Sequence, residues 1–73
     1  MTQASRLVHY IRQHRAVRQR WPTYGDLLMQ GISVCPWKRL EESAHRWLRK
    51  GEVIERDRNA QGLVVFKIVR RRV

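Results

Sequence analysis

Apolar residues recur at helical spacing up to Gly51 and alternate after it. Ala4, Leu7, Tyr10, Ile11, His14 and Val17 fall on one side of a first helix, predicted from about Ala4 to Gln19 with Thr2 or Ser5 as its cap. Trp21-Pro22 ends it, because the residue before a proline is pushed out of the α region. Thr23 with Asp26 three residues on has capping-box spacing, with Asp in place of the usual Glu or Gln. A short second helix is therefore predicted from Tyr24 to Gln30, carrying Leu27, Leu28 and Met29. Gly31 closes it and Ile32 makes the apolar contact that accompanies such a stop.

The third helical stretch runs from Pro36 to Gly51. At about 100° per residue, Trp37, Leu40, Ala44, Trp47 and Leu48 share an arc of roughly 100°, the stripe of a helix packed on one side. The opposite face carries Lys38, Arg39, Glu42, Arg46 and Arg49. Pro36 suits the first turn, with Cys35 extended before it as the expected N-cap, and Lys50-Gly51 suits the C-terminus. Beyond Gly51, Glu52 to Asp57 and Leu63 to Val69 read as strands joined by the polar turn Arg58 to Gly62. Arg70-Arg71-Arg72 reads as a flexible cationic tail before Val73. The expected fold class is α+β: one small domain over residues 1–73, a three-helix bundle followed by a two-stranded antiparallel hairpin. Its expected core is Leu7, Ile11, Leu28, Leu40, Ala44, Trp47, Ile54 and Phe66.

Charge changes this picture most. Sixteen Lys and Arg stand against six Asp and Glu, a net charge of +10, and thirteen of the sixteen are Arg, the residue suited to bidentate phosphate contacts and guanine edges. That excess is far beyond what solubility needs and points to a polyanionic partner. The single cysteine, Cys35, rules out an intrachain disulfide and allows a reducing compartment. No apolar run is long enough to span a membrane, and Arg and His interrupt the N-terminal stretch, which excludes a secretory signal. The expected location is cytoplasmic, on the nucleoid in a bacterial or phage setting.

Candidate chemistry is sparse. His9, His14, His45 and Cys35 do not fall at metal-ligand spacings, there is no Gly-rich phosphate loop, and Glu41 and Glu42 point to different sides of their helix. No enzymatic activity, metal or cofactor is expected. His14 reads as a core-edge histidine with a hydrogen-bond partner, His45 as solvated, and Cys35 as a small apolar turn residue.

Leu27-Leu28-Met29-Gln30-Gly31-Ile32-Ser33, then Trp37, Leu40, Ala44 and Trp47, then Lys50-Gly51-Glu52-Val53-Ile54 and finally Gly62 follow the order of a helix-turn-helix running into a wing. Over nearly its whole length the chain resembles the winged helix-turn-helix superfamily. The resemblance implies a double-stranded DNA-binding protein, a small transcription regulator or a replication or recombination accessory factor. It places the third helix in the major groove and the hairpin on the backbone. Carried over, Lys38, Arg39, Glu42, Ser43 and Arg46 face base edges and flanking phosphates, with Arg49 on the same cationic face. Arg56, Arg58, Asn59 and Lys67 supply the wing contacts. Arg70 and Arg71 add phosphate contacts without sequence information. Glu42 either accepts from a cytosine N4 or pairs with Lys38, Arg39, Arg46 or Arg49, and the intrahelical pair is the first reading. A charge reversal at Arg12, on the first helix, is expected to matter far less for duplex binding than one at Arg46. The alternative partners are RNA and an acidic protein, and a dimer is compatible with this reading; a membrane partner is not expected.

Overall fold

A computed structural model describes residues 2–71. The chain is α+β: three helices, α1 (Gln3–Arg18), α2 (Tyr24–Met29) and α3 (Trp37–Ala44), then a 3-10 turn (His45–Trp47) and two antiparallel strands, β1 (Glu52–Arg58) and β2 (Val64–Arg70). Thr2 caps α1, its hydroxyl accepting the Ser5 N–H at 3.1 Å. α1 buries Ala4, Ser5, Leu7, Val8, Ile11 and His14. Val17, predicted on the same stripe, is 68% exposed, because the last turn of α1 runs past the core.

The capping box at α2 is complete: the Thr23 hydroxyl accepts the Asp26 N–H at 3.1 Å and the Asp26 carboxylate accepts the Thr23 N–H at 3.0 Å. Thr23, its N–H first, and the nearby Arg20 charge hold the Asp26 carboxyl below its ordinary range. The helix ends at Met29, and Gly31 at φ 75° allows the Ile32 N–H to reach the Leu27 carbonyl at 3.0 Å. Ile32 is thereby buried. Leu28, predicted in the core, is 51% exposed: α2 has only six residues, and Leu27 alone turns inward.

The third helix is shorter than its apolar spacing suggests. Regular helix stops at Ala44, the chain tightens into the 3-10 turn, and Leu48 is extended. The next segment is held elsewhere. The Arg49 N–H is bonded to the Glu52 carboxylate at 2.7 Å rather than to a helical carbonyl. Past Ala44 the predicted arc no longer applies, since a 3-10 turn advances about 120° per residue. Trp47, predicted as a core residue, is 43% exposed. The N-cap is Pro36, reached through a cis Cys35–Pro36 bond, and not Cys35. At the entrance to β1, Gly51 has φ 83°, and a Cβ there would lie 3.4 Å from the Arg71 carbonyl oxygen. The Arg71 N–H donates to the Gly51 carbonyl.

In the hairpin Ile54 faces Ile68 and Arg56 faces Phe66. Ile54, Phe66 and Ile68 are buried with Leu7, Ile11, Leu27 and Ala44, while Trp37, Leu40 and Leu48 pack around them half-buried. The α1–α2 connection covers the other edge of β2, where the Phe66 N–H donates to the Pro22 carbonyl at 3.0 Å and Thr23 bridges Val65. The expected flexible tail is corrected for its first two residues: Arg70 ends β2 opposite Glu52, and Arg71 pairs with Glu55. Arg72 and Val73 lie outside the described residues. Among the described residues no helix is long and apolar enough to cross a membrane.

Candidate nucleic-acid interface

α3 is fixed to the hairpin by a stack of three side chains. The Trp37 and Phe66 rings lie 5.2 Å apart at a tilted angle, and the Arg56 guanidinium lies 5.0 Å from the Trp37 ring centre. Phe66 and Arg56 reach Trp37 together because they are cross-strand partners on one face of the sheet. Aromatic pairs of this kind add about 0.5–1.5 kcal/mol beyond the area they bury. With Trp37, Leu40 and Ala44 turned inward, Lys38, Arg39, Glu42 and Ser43 are left on the exposed side of α3.

Arg39, Glu42, Ser43 and Arg46 line one groove of about 490 Å³ between α3 and the N-terminus of α1. Trp47 forms part of its wall, with Leu40 and Pro36. The structure therefore gathers four of the five residues assigned to base edges and phosphates into a single concave surface, and adds an aromatic ring that the helical spacing assigned to the core. Lys38 is exposed outside this groove, and Arg49 lies on the far side of the 3-10 turn with Lys50 and Arg71. Among the described residues, Lys38, Arg39, Arg46 and Arg49 make no ion pair, and neither does Glu42. The expected intrahelical pair of Glu42 is therefore absent.

The wing candidates are differently placed. Lys67 pairs with Asp57 at 3.1 Å, and Arg58 Nη1 donates to the Gly62 carbonyl at 2.8 Å. The Arg58 N–H and the Lys67 ammonium hold the Asp57 carboxyl below its ordinary range. The Asn59 side-chain oxygen accepts the N–H groups of Gln61 and Leu63 at 2.9 and 3.0 Å, which builds the turn. Arg56 is exposed but stacked on Trp37. These residues shape the hairpin and its attachment as much as they present charge.

Arg12 is not a spare surface cation. It holds Glu52 bidentately at 2.6 and 3.1 Å, and the Glu52 side chain is only 11% exposed. Arg12, followed by the Arg49 N–H, holds the Glu52 carboxyl down to about 2. The pair ties α1 to the start of β1, so a reversal at Arg12 breaks the fold's own contacts. His14 is the expected core-edge residue: its Nδ1–H donates to the Arg20 carbonyl at 2.9 Å, and Nε2 lies 3.5 Å from Asp26. Among the described residues, no three of His, Cys, Asp and Glu come together as ligands for a metal ion.

A second basic groove does not follow from helical spacing. Arg15, Arg20, Arg58 and Lys67 line about 520 Å³ between the end of α1 and the hairpin tip, with Trp21 in its wall. The signal for it was the run Arg15, Arg18, Arg20, which contains no carboxylate. Comparison with protein-family models, with curated proteins and with solved structures finds no match to this chain.

Proposed function

We propose that this chain binds double-stranded DNA in the manner of a winged helix, with the exposed side of α3 and its 3-10 extension entering the major groove. The observation that carries the reading is the state of the cations there. Lys38, Arg39, Arg46 and Arg49 are exposed and make no ion pair among the described residues, so no internal contact must break before they meet phosphates or guanine edges. The order of helices followed by an antiparallel hairpin is compatible with a winged helix. Glu42 and Ser43 between the cations give the surface groups that can discriminate bases. The hairpin supports α3 through Phe66, Trp37 and Arg56, and Arg56 is near enough to α3 to meet the flanking backbone. A small regulator or an accessory factor of replication or recombination fits this reading.

The test is a titration of labelled duplex at several salt concentrations. Affinity should fall linearly with the logarithm of salt, with a slope of at least about −3 for four phosphate contacts. A flat salt response would end the proposal. One observation favours RNA as a second reading. Trp47 is half exposed in the groove that Arg39 and Arg46 also line, where an unpaired base could stack. Competition between duplex DNA and an RNA hairpin of equal length decides between them.

A further inference from the structure

We propose that the groove at the end of α1 is a second nucleic-acid face, which holds the phosphate backbone of another duplex segment while α3 holds the first. The inference rests on the reading of α3 as a duplex-binding face.

Four cations enter this groove from three stretches of chain: Arg15 from α1, Arg20 from the α1–α2 connection, and Arg58 and Lys67 from the hairpin, of which Lys67 is already paired with Asp57 at 3.1 Å. The one carboxylate lining it is Asp26, which is engaged by the Thr23 N–H at 3.0 Å. The Arg15 guanidinium lies 5.3 Å from the Trp21 ring centre. Stacking orders a guanidinium without using its N–H donors, which remain in the plane for phosphate oxygens. The Arg20 carbonyl is held by the His14 ring at 2.9 Å, so the backbone that carries the Arg20 side chain is fixed. Arg58 is steadied by the Gly62 carbonyl at 2.8 Å, a bond made by one nitrogen of its fork. Cations fixed on separate elements and spread along one groove match a repeating anion better than a single small one. Duplex DNA supplies a charge every ~1.7 Å of its axis.

The two grooves share no lining residue. Gln3 lines the first and Arg15 the second. At ~1.5 Å of rise per residue, those two positions on α1 are about 18 Å apart along its axis. A segment seated on α3 leaves the second groove open to another segment. The chain would then join two duplexes without first forming a dimer.

The experiment is a co-capture assay on the full chain. A short biotinylated duplex is held on beads and saturated with protein, excess protein is washed away, and a fluorescent duplex of unrelated sequence is added. The wild-type chain should retain the second duplex. Arg15→Glu/Arg20→Glu should bind the first duplex within about threefold of wild type and retain at least about tenfold less of the second, since two phosphate contacts become repulsive. Arg20→Glu alone, verified as folded by circular dichroism, replaces a side chain that makes no side-chain hydrogen bond or ion pair among the described residues, and it should show a smaller loss of the same kind. Arg18→Glu, two residues away with the same change of charge, does not line the groove and should retain the second duplex as wild type does. Capture by Arg15→Glu/Arg20→Glu equal to wild type overturns the proposal, as does an equal loss at Arg18. Retention of the first duplex with no second one overturns this proposal alone. Failure to hold even the first duplex removes the α3 reading and this proposal with it.

Discussion

The segment from α3 to Lys50 and the hairpin with Arg71 are equal in cations. The first carries Lys38, Arg39, Arg46, Arg49 and Lys50, the second Arg56, Arg58, Lys67, Arg70 and Arg71. They differ in what those cations do. In the hairpin, Lys67 pairs with Asp57, Arg71 pairs with Glu55, Arg58 bonds the turn, and Arg56 lies on Trp37. In the α3 segment, among the described residues, the five cations make no ion pair. On the two-stranded ribbon Lys67 lies directly opposite Glu55, with Asp57 diagonal to it on the same face, and it is Asp57 that it meets. On α3, Glu42 has Lys38 and Arg46 four residues to either side and pairs with neither. A charge count therefore overstates the hairpin as a binding surface and describes α3 better.

Three perturbations test this division in terms of stability. The largest effect is expected at the join. Phe66→Ala removes a buried ring from beneath Trp37 and should cost about 3–5 kcal/mol in urea unfolding, most of the stability of so small a chain. A cost below about 1 kcal/mol would mean that the hairpin does not anchor α3. Next is the pair that joins α1 to β1. Glu52→Gln should cost about 1–3 kcal/mol at neutral pH, because it weakens a charge-assisted bidentate contact to Arg12. Its pH dependence has a definite sign. The folded carboxyl is held at about 2 against an ordinary 4.5, so the contribution is complete above 4.5 and is lost as pH falls toward 2. The gap between wild type and Glu52→Gln should close over that window; a gap independent of pH would contradict the ion pair. The smallest effect is expected at Trp47→Ala, less than about 1 kcal/mol, because the ring is 43% exposed. A loss of about 3 kcal/mol would return Trp47 to the core.

Trp47 also marks the limit of what the chain discloses. Features set by a few neighbouring residues were legible. The Thr23–Asp26 box, the stop at Gly31 and Ile32, the His14 environment and the change to strands after Gly51 all stand close to their expected places. What escaped depends on partners far away in sequence. Helix α3 ends at Ala44, and beyond it Glu52, itself held by Arg12 across 40 positions, takes the Arg49 N–H, so no helical bond forms there. The helical period of the apolar residues carries no trace of that competition, so Trp47 and Leu48 read as a continued stripe. Leu28 misled for a simpler reason: a six-residue helix has room to bury few side chains. Within the candidate site, the exposed face of α3 followed from periodicity. The basic groove at the end of α1 did not, since it is assembled from α1, its connection and the hairpin tip.

The central claim is that the α3 segment contacts the duplex and the hairpin supports it. Its most direct test compares Arg39→Glu/Arg46→Glu with Arg58→Glu/Lys67→Glu, two variants with the same change of net charge, for affinity to one duplex at one fixed salt concentration, each verified as folded by circular dichroism. The first pair should lose more than about 100-fold, as two contacts of roughly 1–3 kcal/mol each are replaced by repulsion, and the second less than about tenfold. Equal losses would show a polycation with no preferred face and would contradict the assignment of α3.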